Sequence, residues 1–216
     1  MRRHPDPSSK PPRPSLVYLV IGVLGWPLLR FVFRQRTAGV ENVPREGGCV
    51  VAANHWSNFD PWPLGIPLFP RRFMRFMAKS ELFWPPLGWL IKGGGGFRVR
   101  RGQRDDEAMD TAVRLCREGH VVVMFPEGTR RRKGMRKKYE ARWHTGAARI
   151  ALEAGVPLVP AGIAGTERVS RLAQIKVSFG PALDLSDLGD GDLAENAAVA
   201  TERLRTEIER LELTLR

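Results

Sequence analysis

The sequence is poor in the groups that hold metals and disulfides. It has 2 cysteines in 216 residues, and Cys49 and Cys116 lie far apart, one in an apolar run and one on the apolar side of an expected helix. No cysteine framework can form, so buried free thiols and a reducing, cytosolic setting are expected. The 4 histidines are scattered, and neither CxxC nor HExxH occurs, so no zinc site is expected. No GxSxG motif supplies the nucleophile of an elbow-type serine hydrolase. Neither GxxxxGK[ST] nor GxGxxG leading into a helix is completed, so nucleotide binding by those routes is weak. There is no internal repeat. Acidic residues are also outnumbered: 23 Asp and Glu against 35 Lys and Arg leave a net charge of +12, which calls for an anionic partner.

What is present is enough for one domain. The hydrophobic fraction of 43% can bury a sizeable core, and 27% charged residues excludes wholesale disorder. Residues 1–14 are rich in proline and carry Arg2, Arg3, Lys10 and Arg13, and read as a disordered basic tail. Residues 15–36 follow as an apolar element, uncharged from Leu16 to Leu29. As a helix that run spans about 21 Å at ~1.5 Å per residue, short of a hydrocarbon core of ~30 Å. Arg30, Arg34 and Arg36 follow it, and Tyr18 and Trp26 suit an interface, which favours a helix lying on a membrane. A buried core helix or a secretory apolar region also fits the length.

From residue 37 to 216 strand and helix signals alternate. The runs 49–54, 121–126, 156–163 and 175–179 are β-branched or apolar and read as strands. Asp105 to Arg117, Trp143 to Ala154 with Gly155 as its stop, and about Asp192 to Leu213 read as amphipathic helices. This alternation predicts a single α/β domain with a mixed, largely parallel β-sheet flanked by helices.

Two polar motifs leave the ends of expected strands, where α/β sheets bind ligands. In NHWSNFD, residues 54–60, His55 and Asp60 are five apart, and a continuous helix would point them in different directions. If Asp60 is the N-cap of a helix with Pro61 at its first position, the loop can fold the carboxylate back onto the imidazole. A base with an orienter results, able to take a proton from a hydroxyl. The plainer alternative is a helix cap and a loop histidine. In FPEGTR, residues 125–130, Gly128 permits a tight turn that gathers Glu127, Thr129 and Arg130, as a phosphorylated substrate would require, or as an exposed turn would also allow. The basic run from Arg130 to Lys138 suits anionic lipid better than nucleic acid, because it lacks interleaved aromatics. The glycines of GGGGFRVRR, residues 93–101, read as a hinge or a phosphate cradle.

Taken together and in this order, the segments from about residue 37 to 180 resemble the glycerolipid acyltransferase family typified by lysophosphatidic acid acyltransferase. NHWSNFD is similar to its NHxxxxD block and FPEGTR to its FPEGT(R) block. GGFRVRR is similar to its arginine-ended block and VPLVPAGI to its apolar fourth block. Arg98, Arg100 and Arg131 depart from the family pattern. The resemblance implies transfer of a fatty acyl group from acyl-CoA or acyl carrier protein, as co-substrate and with no cofactor, to the hydroxyl of 1-acyl-sn-glycerol 3-phosphate. His55 would be the general base and Asp60 its orienter, while Arg101, Glu127, Gly128, Thr129 and Arg130 would bind the acceptor. Residues 156–163 would shape the acyl side. It further implies an N-terminal membrane-docking helix, with a monotopic or peripheral enzyme on the cell membrane whose catalytic domain faces the cytoplasm. Another lyso-lipid, glycerol 3-phosphate or a glycolipid remains an alternative acceptor, and a basic lipid-binding protein without catalysis an alternative class.

Overall fold

The computed structural model describes residues 14–100, 106–128, 143–189 and 191–215. Among these, seven strands form one sheet: β1 (Arg36–Ala38), β2 (Cys49–Ala53), β3 (Met74–Lys79), β4 (Gly96–Val99), β5 (Val121–Met124), β6 (Leu158–Ala164) and β7 (Lys176–Phe179). Their order is β1-β7-β6-β2-β5-β3-β4. Strands β2 to β6 run parallel, whereas β7 pairs antiparallel with β6 and carries β1 in its own direction. The sheet is therefore mixed and largely parallel, and helices cover both faces.

Every residue of β2 is buried, which is why it reads as an unbroken apolar run. Cys49, Val51 and Ala53 point to one face, which also holds Leu64, Ile66, Val123, Val159 and Phe179. Val50 and Ala52 point to the other, under the stripes of α4 (Asp106–Arg117), α5 (Gly146–Ala154) and α6 (Leu193–Leu215). Alanines on α5 and α6 (Ala147, Ala148, Ala151, Ala197, Ala200) keep that helical layer close-packed. Gly155 ends α5 with φ 67°, a left-handed stop that glycine adopts without strain.

Three short elements were not evident as strands in the sequence. β3 reads MRFMAK, with Arg75 and Lys79 interrupting its apolar character, and β4 lies within the glycine-rich segment read as a hinge or a phosphate cradle. β1 has only 3 residues and begins at Arg36, which belongs to the sheet and not to the preceding apolar element. The tail at 1–13 and Asp105 lie outside the described residues.

The apolar N-terminal element is helix α1 (Leu16–Pro27), continued by a π-type turn over Leu28–Val32. Ser15 caps it, accepting from the Tyr18 N–H at 3.0 Å and donating its hydroxyl to the Gly93 carbonyl at 2.6 Å. Tyr18 Oη accepts from the Met74 N–H at 2.9 Å, so α1 is joined to the start of β3. Leu29 and Phe33 enter the core, while Leu16, Val23, Leu24 and Phe31 stay exposed. No helix among the described residues is long and apolar enough to cross a membrane.

At the end of the sheet where β2 and β5 begin, Arg72 is 3% exposed and donates to the carbonyls of Pro44, Gly47 and Gly119, the last at 3.1 Å. One planar cation thus closes the loops that precede both strands. Beside it, His120 is 5% exposed, and burial, then Arg75 and Arg72, push its pKa down to about 4.

Replacing Arg72 with Met should cost about 3 kcal/mol of stability or more, because it leaves the buried carbonyls of Gly47 and Gly119 and the half-buried one of Pro44 short of a donor. The urea midpoint reads it, with the unfolding slope unchanged. His120 gives a pH dependence of defined sign. Between the ordinary value of ~6.5 and about 4 the unfolded chain binds a proton that the folded chain refuses. Stability is therefore full above pH ~6.5 and falls as pH drops toward 4, by up to about 3 kcal/mol at 1.36 kcal/mol per unit. His120→Gln should flatten this limb of the pH profile; an unchanged slope would assign it elsewhere.

Candidate active site

Strands β2 and β5 are neighbours and parallel, with Ala52 opposite Met124, so the segments that follow them emerge side by side. The first is 54–60 and the second 125–128. Sheet topology alone thus brings the two polar motifs to one edge.

After β2 the backbone turns out of the sheet and enters α2 (Pro61–Gly65). Asp60 occupies the residue before Pro61, yet its carboxylate makes no cap bond to that helix. Asp60 thus stands at the expected N-cap position with its carboxylate folded back onto the imidazole, and the plainer alternative of a helix cap is excluded. Oδ2 turns back instead and accepts from the N–H groups of Trp56 at 2.7 Å and Ser57 at 2.9 Å, and it lies 2.8 Å from His55 Nδ1. Ser57 supports the turn, its Oγ accepting from the Phe59 N–H at 3.2 Å and its carbonyl from the Asp60 N–H at 3.1 Å. The side chains of His55 and Asp60 are 6% and 0% exposed. An ionised carboxylate in such a place needs several donors, and the loop supplies them.

Because a carboxylate only accepts, Nδ1 of His55 carries the hydrogen and the lone pair resides on Nε2. The imidazole also stacks on Phe125, with ring centroids 4.1 Å apart and planes at 19°. Two fixed partners, one polar at the ring edge and one aromatic on its face, leave the ring little rotational freedom.

Phe125 opens the second motif. The Gly128 N–H donates to the Phe125 carbonyl at 3.0 Å, and the His144 N–H to the Pro126 carbonyl at 2.8 Å. Gly128 has φ +66°, a left-handed conformation that favours glycine, and a Cβ there would fall 2.6 Å from the exposed His144 ring and push it aside. Glu127 is buried. Thr129, Arg130 and the basic run that follows, and Arg101, lie outside the described residues. Among the described residues no three His, Cys, Asp or Glu side chains converge as metal ligands would.

Two contributors were not picked out from the sequence. Asn54 is fully buried; its Nδ2 donates to the Ile163 carbonyl at 2.9 Å, and its Oδ1 accepts from the Ile163 N–H at 2.8 Å. The side chain thus copies a peptide group and prolongs the β2–β6 pairing at the point where the backbone leaves it. The other is the stacking of Phe125 on His55. A buried asparagine just past an apolar strand is a signal for the first, but the second depends on strand order alone.

With this geometry in view, comparison with known proteins is direct. A model of an acyltransferase family matches residues 34–164. The chain is 32% identical over 178 residues to the 1-acyl-sn-glycerol-3-phosphate acyltransferase of Bacillus subtilis (strain 168), an alignment covering 80% of this chain and 85% of that one.

It belongs to the glycerolipid acyltransferase family.

A human relative, 1-acyl-sn-glycerol-3-phosphate acyltransferase beta, is 30% identical over 148 residues, covering 65% of this chain and 51% of that one. The crystal structure of the 1-acyl-sn-glycerophosphate (LPA) acyltransferase PlsC from Thermotoga maritima matches with a TM-score of 0.65 at 25% identity, over 90% of this chain and 79% of that one. The present chain is accordingly an O-acyltransferase, and its α/β sheet is the family's.

Asn54→Ala should lower stability by about 2 kcal/mol, since it strands the buried N–H and carbonyl of Ile163. Hydrogen exchange should report it locally, with faster exchange at Ile163 and in the 54–60 loop than at the centre of β2. Uniform acceleration would mean that Asn54 holds the fold as a whole and not this edge.

Proposed function

We propose that the enzyme transfers a fatty acyl group from acyl-CoA or acyl carrier protein to the hydroxyl of 1-acyl-sn-glycerol 3-phosphate, giving phosphatidic acid. The observation that carries this reading is the 2.8 Å contact between Asp60 Oδ2 and His55 Nδ1, which leaves Nε2 as the basic atom. Nε2 takes the proton of the acceptor hydroxyl as its oxygen attacks the thioester carbonyl carbon. The tetrahedral intermediate collapses, the carbon–sulfur bond breaks, and the thiolate leaves with the proton from the imidazolium. The products are an ester and a free thiol, with no acyl-enzyme and no cofactor required.

Asp60 is the orienter, held by the Trp56 and Ser57 N–H groups, and it offsets the charge that His55 gains. Arg101, Glu127, Gly128, Thr129 and Arg130 bind the acceptor, the arginines taking its phosphate. Residues 156–163 shape the acyl side. Exposed Leu16, Val23, Leu24 and Phe31 on α1 and its continuation lie in the membrane surface, where the lyso-lipid is found, with the catalytic domain on the cytoplasmic side. The activity printed in the names of the Bacillus, human and Thermotoga relatives supports this choice of acceptor.

The test is acyl transfer by purified protein to a panel of lyso-lipids, glycerol 3-phosphate and glycolipids, with acyl-CoA and acyl carrier protein as donors. His55→Ala should reduce turnover by about 10²- to 10⁴-fold while the fold survives. Arg130→Lys keeps the charge but loses the planar two-donor contact, and should raise the acceptor Michaelis constant more than it lowers turnover. A folded His55→Ala variant with most of its activity would overturn the base assignment; preference for another acceptor would overturn the substrate.

A further inference from the structure

Between β3 and β4 the chain forms helix α3 (Leu87–Gly93), preceded by the turn 80–86. Most of the large apolar side chains here face outward. Trp89 is 72% exposed and Trp84 56%, with Leu82 and Leu90 also exposed. Folded soluble surfaces rarely leave so many large apolar groups together. Nor is this patch isolated, because α3 packs directly on α1. Ser15 bonds the Gly93 carbonyl, the ideal Cβ of Gly93 would fall 2.7 Å from Val17, and that of Gly94 3.2 Å from Ile21. The outward residues of α1 and of the α3 region thus belong to one body.

Cations border the patch. Lys92, Arg98 and Arg100 are exposed, and with Trp89 and Phe83 they line a groove of about 1290 Å³ along the β4 edge, where basic side chains outnumber the acidic Glu107 and Glu118. The Arg98 guanidinium sits 5.1 Å above the Phe83 ring. Indoles with adjacent basic groups match the level of a bilayer where acyl chains meet phosphates. A second copy of the chain is a poorer partner, since a two-fold contact at this patch would bring the same three cations together.

We infer that the turn and helix from Leu82 to Leu90 form a second membrane-contact element, in which Trp84 and Trp89 enter the interface of an anionic bilayer while Lys92, Arg98 and Arg100 meet its phosphates. The inference rests on the reading of α1 as a membrane-docking element and adds a contact distant from it in sequence. One amphipathic helix can roll about its own axis on a surface. Two apolar elements side by side fix the angle at which the domain sits.

The experiment uses the full chain and vesicles of phosphatidylcholine with and without phosphatidylglycerol. Trp84→Ala/Trp89→Ala should weaken partitioning by about tenfold or more, the change expected when roughly 60 Å² of apolar surface stays in water. Turnover of a short-chain, monomeric acceptor in detergent should be unchanged. In the unmodified protein, emission lost with these two indoles should be quenched by acyl-brominated lipid and shielded from aqueous iodide. If the double variant is unstable, Trp89→Gln alone should give a smaller loss in the same direction. Leu24→Asp/Phe31→Asp on α1 and its continuation tests the underlying reading separately. Release by the α1 pair but not by the tryptophan pair overturns this inference alone. Release by the tryptophan pair only overturns the role of α1. Conversion of a dimer to a monomer by the tryptophan changes, with vesicle binding intact, would assign the patch to a second copy. Iodide access to the indoles gained on deleting residues 1–13 would assign it to the chain's own tail.

Discussion

Strand β2 is hydrogen-bonded on both edges and buried on both faces, and the site depends on that confinement. Nothing polar can leave such a strand sideways, so its first polar side chains appear where the backbone exits the sheet. Asn54 is still inside and is satisfied by a backbone it imitates; His55 is one residue further and meets a carboxylate. The order of these residues follows the gradient from a dry ladder to a wet edge. A charged Asp60 with no exposed surface is tolerated only because two N–H groups and an imidazole converge on one oxygen.

Legibility in the sequence divided along the same physical line. β2, β5 and β6 were readable because strands buried on both faces must be apolar, β7 because its buried Val177 and Phe179 alternate with half-buried Lys176 and Ser178, and α4, α5 and α6 because each shows one face to the sheet. β3 and β4 were not, since they lie toward one margin, where Arg75, Lys79 and Arg98 are tolerated and glycine reads as loop. The pairing of His55 with Asp60 was visible in outline from Pro61 and the five-residue separation. That the Trp56 and Ser57 N–H groups would hold the same carboxylate oxygen was not visible, because the loop backbone makes that choice. The contact of Phe125 with His55 joins residues seventy positions apart and follows from strand order alone. Arg101, Thr129 and Arg130 were singled out by motif, and the described residues do not include them.

The N-terminal element also shows how composition and structure differ in kind. An apolar run flanked by arginines reads as an appended anchor, something added to a finished domain. In the fold, Tyr18 accepts from the first residue of β3, and Leu29 and Phe33 complete the core before β1 begins. The segment is half interior and half surface. Whatever acts on its outer side acts on the same rigid unit as the catalytic sheet.

The clamp at Arg72 limits how far the chain can change in length just before β2 and β5. Pro44, Gly47 and Gly119 are held to a single guanidinium, so residues inserted or removed just before β2 or β5 would shift a carbonyl out of reach and, through the ladder, move His55 relative to Phe125. At the opposite end the two strands are joined differently, by the Phe125 ring stacked on His55 directly after β5. The Arg72 end thus acts as the fixed origin from which the register of both site-bearing strands is counted.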